Sequence, residues 1–314
     1  MAYQNSNIRV FSLNSNLQLT QEIVDLLGIE LGKSSIKRFS DGEIQLNIEE
    51  SIRGCDTYLV QSISRLGNEY IMELLIMIDA LKRASAKSIN VVIPYYGYAR
   101  QDRKSGARQP ITAKLIANLL ETAGATRVLT IDLHAASIEG FFNIPVDQLS
   151  GIPTLSDYFA EKNFSDVVVV APDNSSVLRA RKMASLLNVP IAFIDRRCYN
   201  PEEPAKVNVI GEVKEKTAII IDDMIDTGEN LLLTTNVLME HGVKDVYGCF
   251  THAVLSGSSI EKIARSNIKE LIVTNTIPLP ETNNTEKIKV LSIAPLLTES
   301  IRRIQNKICT NTML

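Results

Sequence analysis

The stretch Thr217-Ala-Ile-Ile-Ile-Asp-Asp-Met-Ile-Asp-Thr-Gly-Glu-Asn230 constrains the fold of this chain more than any other. Residues 218–221 form a short apolar, largely β-branched run, the pattern of a strand covered on both faces of a parallel sheet. The run breaks into Asp222, Asp223, Asp226, Thr227 and Gly228, and apolar residues at helical spacing resume over 231–240. Strand, acidic loop and helix in that order mark the place where α/β sheets take ligands, beyond the carboxyl ends of their strands. The N–H groups that open such a helix can hold a phosphate. Paired acids can accept hydrogen bonds from sugar hydroxyls or approach a cation. An ordinary turn with Asp226 or Thr227 as N-cap is the plainer reading. A cap needs one carboxylate and the segment has three within five residues, so a site is expected here.

The chain is long enough for two domains of ordinary size, at 314 residues. Its net charge of −3 leaves no general basic surface for nucleic acid. Cys55, Cys198, Cys249 and Cys309 are scattered and form no CxxC pair, which suits a reducing, cytoplasmic setting. No charge-free apolar run reaches the roughly eighteen residues of a membrane helix. The polar start, Met1 to Asn7, lacks a signal-peptide core. A cytoplasmic protein without membrane or nucleic-acid partners is the expectation.

In chain order, residues 8–13 predict a strand and 19–27 a helix closed by Gly28. Residues 36–39 run into Ser40-Asp-Gly-Glu43, after which Ile44, Leu46 and Ile48 alternate, a hairpin signal that bunches Phe39, Asp41 and Glu43 at one turn. Strands follow at 57–60 and 89–93, with a helix over 70–81 between them. The loop 94–110 is the most basic place in the chain, with Arg100, Arg103, Lys104 and Arg108 against Asp102 alone, beside Tyr95, Tyr96 and Tyr98. Solvation explains some of that; a polyphosphate carrying a planar base would use both the cations and the rings. Residues 111–123 give an amphipathic helix with Pro110 before it and Gly124 after it. The strand 127–131 ends in Asp132-Leu-His134, where His134 is either a satisfied core histidine or a metal or phosphate ligand.

A shift of 118 residues lays Asn118, Leu120, Gly124, Val128, His134 and Ala135 on Asn236, Leu238, Gly242, Val246, His252 and Ala253. Two copies of one α/β unit account for this, with the boundary near 149–153, so that the domains are 1–149 and 150–314. The second half predicts a helix over 154–162 and a strand over 167–171. Asp173, N-cap or ligand group, then precedes a helix over 177–187. A strand over 191–194 leads into a mobile loop, 195–206, and the last strands fall at 271–274 and 288–291. The last helix, 296–307, can pack on the first domain. Alternating strands and helices mean an α/β fold with mainly parallel sheets.

Four of these pieces together resemble ribose-phosphate pyrophosphokinase of the common bacterial type, over essentially the whole length. They are Phe39-Ser-Asp-Gly-Glu43, Pro94-Tyr-Tyr-Gly-Tyr-Ala-Arg-Gln-Asp-Arg-Lys104, Asp132-Leu-His134 with Gly140-Phe-Phe, and Asp222-Asp-Met-Ile-Asp-Thr-Gly228. The resemblance implies two tandem phosphoribosyltransferase-like domains, an ATP side and a ribose 5-phosphate side. It implies assembly into a homo-hexamer or a mixed ring with a paralogue. The reaction it implies is transfer of the diphosphoryl group of Mg-ATP to the 1-hydroxyl of ribose 5-phosphate, with Mg2+ as cofactor. Phe39 would stack on adenine, with Asp41, Gly42 and Glu43 at its edge, and Arg100, Gln101 and Asp102 would grip ATP. Asp132, His134 and Asp173 would line the metal site. Asp222 and Asp223 would hold ribose hydroxyls, and Asp226, Thr227, Gly228, Glu229 and Asn230 the 5-phosphate. Arg196 and His134 would serve catalysis.

The chain departs from the family pattern on the ribose side. The lysine and arginine of the family's mobile loop are Arg196 and Cys198 here; Glu229-Asn230 replaces a Gly-Thr; Ser175-Ser176 replaces a Gly-Gly; and Asn143 replaces an aspartate. A carboxylate about 4 Å from a phosphate costs roughly 1 kcal/mol in water and about 4 kcal/mol at an effective dielectric near 20. On that reckoning Glu229 and Cys198 weaken ribose 5-phosphate binding. A second reading follows, a weakly active or inactive paralogue acting as a nucleotide-binding regulatory subunit. The plainer view points Glu229 at solvent and lets Arg197 replace the missing arginine.

Overall fold

The computed structural model describes residues 7–162, 164–197, 206–280 and 285–309. The chain divides into two units, Met1–Ser150 with Thr276–Pro278 and Ser292–Leu314, and Gly151–Asn275 with Leu279–Leu291. The first opens with β1 (Ile8–Ser12), α1 (Leu17–Leu27), β2 (Ser34–Arg38), β3 (Ile44–Ile48), β4 (Asp56–Val60) and α2 (Gly67–Arg83). β5 (Ser88–Ile93), α3 (Thr112–Ala123), β6 (Arg127–Ile131) and β7 (Val146–Leu149) follow. Its five-stranded sheet is parallel throughout and runs in sequence order, β1-β4-β5-β6-β7. α2 and α3 bury Leu74, Met77, Ile78, Ile116 and Leu120 against one face, where Ile36, Leu46 and Ile48 of the β2–β3 hairpin join them. On the other face α1 buries Leu19 and Ile23. The Asn16 side chain accepts the Leu19 N–H at 3.2 Å and so caps α1. Gly28, at φ +73°, stops it where the sequence predicts.

The second unit comprises α4 (Ile152–Glu161), β8 (Val167–Ala171), α5 (Val177–Leu187), β9 (Ile191–Arg197), β10 (Lys206–Ile210) and β11 (Thr217–Ile225). It continues with α6 (Glu229–Glu240), β12 (Asp245–Ala253), α7 (Ser259–Arg265), β13 (Glu270–Thr274) and β14 (Ile288–Leu291). Its strand order is β10-β9-β8-β11-β12-β13-β14, parallel except for the edge strand β10. α4 and α5 cover one face and α6 and α7 the other, so β8 and β11 are apolar on both sides over Val168–Val170 and Ala218–Ile221. The order reverses between β8 and β11. That is a topological switch point, where the flanking loops part and leave a crevice.

α8 (Ala294–Gln305) lies in the first unit rather than with the second half of the sequence. Leu297 and Ile301 share a core with Leu19 and Ile23 of α1, and Gln305 donates to the Tyr58 hydroxyl at 2.9 Å. The expected α/β class with mainly parallel sheets is what the chain adopts. Among the described residues no helix is long and apolar enough to cross a membrane.

Two strands run past the charged residues at which the sequence predicts that they end. β11 continues past Ile221 to Ile225, because its partner β12 continues alongside and pairs Asp222 with Phe250 and Ile225 with Ala253. β9 runs to Arg197 because β10 pairs back onto it, Arg197 opposite Lys206. Residues 195–197 therefore belong to a strand and not to the loop expected there, and 198–205 lie outside the described residues. The repeat corresponds to β5–α3–β6 and β11–α6–β12, each two neighbouring parallel strands joined by a helix.

Candidate functional site

In the second unit the acids sit on the sheet itself. β8 pairs with β11 only as far as Ile220, whereas β12 pairs with it to Ile225. Asp222 and Asp223 therefore lie where β11 has lost one neighbour and kept the other. They are not in a loop, and the ladder to β12 fixes their backbone. The Asp222 carboxylate accepts the Asp223 N–H at 2.9 Å. Arg179 of α5 brings its guanidinium to 3.6 Å from Asp222 and 3.9 Å from Asp223. Burial pushes the Asp222 carboxyl up to about 7, with Asp223 and Asp173 adding to the rise and Arg179 opposing it. Negative charge is thus crowded at this strand end, and one arginine offsets part of it.

Asp173, just past the end of β8, is held by its own turn. Its Oδ1 accepts from the Ser175 N–H at 2.9 Å, the Ser175 hydroxyl at 2.5 Å, the Ser176 N–H at 3.1 Å and the Ser176 hydroxyl at 2.9 Å. Burial disfavours its charge, but those four donors outweigh burial and hold its pKa below the ordinary carboxylate value. The sequence left cap and ligand as alternatives; Oδ1 makes the turn, and Oδ2 meets the Asn230 amide at 3.5 Å. The two serines that replace the family's glycines thus contribute donors.

Beyond β11 the chain turns through Asp226, Thr227 and Gly228 into α6. The Asp226 carbonyl accepts the Ser256 N–H at 3.1 Å. Gly228 stands at φ +77° as the cap residue, a conformation that excludes most side chains. The Thr227 hydroxyl faces the Glu229 N–H at 3.5 Å. The opening N–H groups of α6 have no acceptor within the helix. Glu229, the expected uncompensated charge, is 75% exposed at its side chain and meets Lys262 of α7 at 3.6 Å. Arg196 is the penultimate residue of β9, opposite Val207, and Cys198 lies outside the described residues.

In the first unit the candidates 39–43 and 100–102 sit away from the sheet, and only Asp132 and His134 follow directly on one of its strands. The β2–β3 hairpin is its own two-stranded sheet, and residues 39–43 cross its end. The Phe39 N–H bonds the Glu43 carbonyl, the Gly42 N–H bonds the Phe39 carbonyl, both at 2.9 Å, and Gly42 has φ +95°. Asp41 accepts the Glu43 N–H at 3.1 Å. The Phe39 ring is 52% exposed, and Asp41, Gly42 and Glu43 are exposed beside it. A half-exposed phenyl ring framed by two acids can stack a planar base and accept from its amino edge.

The long loop after β5 corrects part of the sequence reading. Tyr95 and Tyr96 are buried, and Tyr96 donates to the Ala113 carbonyl at 2.9 Å while its ring meets Phe142 edge-on. Tyr98 donates to Asn68 of α2. These rings anchor the loop and are no platform for a base, because the turn folds them inward: a Cβ on Gly97 would lie 2.4 Å from the Ile63 carbonyl. Arg100 and Gln101 stay exposed and Asp102 half-buried, with the Gln101 carbonyl accepting from Ala113 at the start of α3. His134 is exposed, whereas its repeat counterpart His252 is buried within β12. Asp132 is buried at φ +37°, and its N–H bonds the Leu149 carbonyl at 3.0 Å. Asn143, suspected at the metal side, instead gives its N–H and side-chain amide to Glu121 of α3 at 2.5 and 2.9 Å.

Among the described residues no three of His, Cys, Asp and Glu gather as a metal cage. Asp132 and His134 belong to the first unit and Asp173 to the second. Arg179 is the site residue that sequence reading missed. The signal was its helical spacing: Arg179 lies four residues before Met183 and next to Ala180, both buried, while Arg181 and Lys182 are exposed.

Residues 8–124 match the family model for the N-terminal domain of ribose phosphate pyrophosphokinase, and residues 197–314 the phosphoribosyl synthetase-associated domain. A ribose-phosphate pyrophosphokinase from Halalkalibacterium halodurans is 61% identical over 302 residues, 96% of each chain. One from Bacillus subtilis is 59% identical over 305 residues, covering 97% of this chain and 96% of its own. The crystal structure of phosphoribosylpyrophosphate synthetase from Mycobacterium smegmatis superposes with a TM-score of 0.90 at 42% identity, covering 96% of this chain and 99% of its own.

Proposed function

The chain belongs to the ribose-phosphate pyrophosphokinase family, and from that premise we propose how its residues divide the work of the reaction. It is an enzyme that makes phosphoribosyl pyrophosphate from ATP and ribose 5-phosphate. The 1-hydroxyl oxygen of the sugar forms a bond to the β-phosphorus of ATP. The bond from that phosphorus to the α,β-bridging oxygen breaks, AMP leaves with that oxygen, and the hydroxyl proton is released. Such transfers ask a protein mostly to position groups and balance charge.

One observation carries our assignment of the sugar side: β11 delivers Asp222 and Asp223 past the end of β8 at the switch point, directly ahead of the α6 N-terminus. Asp222 and Asp223 accept hydrogen bonds from the ribose hydroxyls. Arg179 holds the two carboxylates in place. Asp226, Thr227, Gly228, Glu229 and Asn230 wrap the 5-phosphate through the opening turn of α6. On the nucleotide side Phe39 stacks on adenine with Asp41, Gly42 and Glu43 at its edge, and Arg100, Gln101 and Asp102 hold ATP. By the family pattern Arg196 and His134 meet the charge of the transferred group and Cys198 is assigned to the sugar phosphate, although it lies outside the described residues.

The residues suit magnesium. Asp173 is kept ionised by its serines, and a carboxyl raised to about 7 beside two other acids is a place where a cation relieves repulsion. Mg2+ takes one or two protein ligands plus phosphates and waters, so a three-residue cage is not needed. Asp173 in the second unit, and His134 and Asp132 in the first, are the proposed ligand candidates of their units, and the ion would neutralise polyphosphate charge. We further propose a cytoplasmic enzyme that assembles as a homo-hexamer or a mixed ring with a paralogue.

The regulatory-subunit reading is not favoured. Glu229 has Lys262 beside it, Ser175 and Ser176 support Asp173, and Asn143 is engaged with Glu121. The test is to incubate the purified protein with Mg-ATP and ribose 5-phosphate and follow AMP and the new diphosphate ester by phosphorus NMR. Turnover that needs both substrates is expected. Nucleotide binding by calorimetry without any AMP release would restore the regulatory reading.

A further inference from the structure

Glu73, early in α2, has a wholly buried carboxylate that the reaction does not use. Taking a carboxylate out of water is costly unless protein donors replace the water. Three do. Asn14 donates to Oε1 at 2.8 Å, Arg38 to Oε1 at 3.2 Å and Gln61 to Oε2 at 3.1 Å. Gln61 is itself fixed, since its Oε1 accepts the Ser15 N–H at 3.0 Å and its amide also reaches the Tyr70 carbonyl at 3.3 Å. Arg38 makes a second ion pair with Glu69, one helical turn back, at 2.6 Å.

Arg38 is the last residue of β2, and Phe39 is the next. Side chains alternate across a strand, so Arg38 shares the inward face with Ile36, and Phe39 begins the loop from the opposite face. A two-stranded hairpin is marginal by itself and takes its position from what it packs on. Ile36, Leu46 and Ile48 seat the ribbon on the core, but apolar contact alone allows it to slide and tilt. A guanidinium forked between Glu69 and the immobile Glu73 fixes the direction in which the ribbon ends.

We propose that Glu73 is a positioning residue for nucleotide binding: through Arg38 it holds the loop from Phe39 to Glu43 in the geometry that takes the adenine ring. The inference rests on the reading of that loop as the adenine site. Replacing Glu73 by Gln removes the buried charge and puts an amide donor among groups that already donate, so Arg38 loses the charged half of its fork and is left with Glu69.

The test is initial-rate kinetics on the full chain for wild type, Glu73→Gln, Arg38→Met, Arg38→Lys, the Glu73→Gln/Arg38→Met double variant and Phe39→Ala. Misplacement of a binding group by about 1 Å can cost on the order of a hundredfold, so Glu73→Gln and Arg38→Met should each raise KM for Mg-ATP about tenfold or more, while KM for ribose 5-phosphate stays within about twofold. The double variant should be no worse than the poorer single, as expected when both act through one contact. Arg38→Lys, which keeps the charge without the fork, should fall between. A merely structural role would lower Tm and leave KM for Mg-ATP at the wild-type value, and that result overturns the proposal provided Phe39→Ala does raise it. A silent Phe39→Ala would overturn the adenine-site reading and this inference with it. If Glu73→Gln does not fold, Arg38→Met, at a side chain 40% exposed, decides the matter alone.

Discussion

The two units share a strand–helix–strand core, β5–α3–β6 and β11–α6–β12, yet place their candidate ligand residues in opposite ways. In the second unit the strand order reverses between β8 and β11, and the acids ride on β11 itself, which at nine residues is longer than the six of β5. In the first unit the strands run in sequence order, and all the candidates except Asp132 and His134, at the end of β6, sit on a separate hairpin and on the loop between β5 and α3. A backbone ladder therefore fixes Asp222 and Asp223, the proposed sugar-side acids, whereas the proposed nucleotide-side segments have side-chain anchors, Arg38 at the hairpin and Tyr96 at the loop. The same fold core can support a site built into the sheet or one hung beside it.

The largest effect that would break this contrast belongs to the strand-borne acids. Hydrogen bonds to a charged group contribute about 1.5–3 kcal/mol each. Asp222→Asn with Asp223→Asn should therefore lower kcat/KM for ribose 5-phosphate by on the order of a hundredfold to ten-thousandfold. Mg-ATP affinity by calorimetry should hardly change. Loss of ATP binding to the same extent would mean that the acids serve the nucleotide instead. Next in size is Phe39→Ala, which should weaken Mg-ATP binding by about 1–3 kcal/mol, the usual worth of an aromatic stacked on a base. An unchanged calorimetric titration would remove the hairpin from the nucleotide side.

A smaller effect sharpens the contrast through stability. The Asp222 carboxyl is raised from 3.8 to about 7, chiefly by burial and then by Asp223. Between those values the folded chain binds more protons than the unfolded chain, so this group lowers stability as pH rises from about 4 to about 7. Asp222→Asn removes the penalty. The variant should melt above wild type at about pH 8, and the gap should close as pH falls towards about 5. A gain of about 1 kcal/mol would show as roughly 2–4 °C in Tm. A variant that melts below wild type at the higher pH would show that the carboxylate is stabilising, and the crowding argument would fail.

Most of this architecture was legible because burial writes itself into periodicity. Residues 177–187 read as a helix from their spacing alone, and α5 has those bounds. The limits of β11 and β9 were not legible, since each strand continues through charged residues only because a neighbouring strand pairs with it. Tyr95 and Tyr96 misled for the opposite reason: composition shows a ring and a charge side by side but not which of them the turn at Gly97 sends inward. The spacing could have placed Arg179 on the buried side of its helix, but neither its partners nor those of Glu73 were legible, because they lie far away in sequence, at Asp222 and Asp223 and at Asn14 and Arg38.

The smallest expected effect concerns Glu229, where residue identity alone suggests the strongest impairment. The carboxylate occupies the first residue of α6, three-quarters exposed and 3.6 Å from Lys262. An acid in a first helical turn is favoured by the helix dipole. An exposed pair of this kind is worth no more than about 1 kcal/mol in either direction, and solvent and salt screen what repulsion reaches a bound phosphate. Glu229→Gln removes the charge and keeps the helix former, unlike a glycine, which would add a propensity loss of about 1 kcal/mol. KM for ribose 5-phosphate should therefore move by less than roughly fivefold, and by less still as ionic strength rises. Initial rates with ribose 5-phosphate varied at saturating Mg-ATP, at low and at high salt, decide it. If the variant gained roughly thirtyfold or more in kcat/KM, a gain of about 2 kcal/mol, the carboxylate would have to turn from Lys262 towards the phosphate. The sugar side would then be limited by its own charge and not by the placement of its strand.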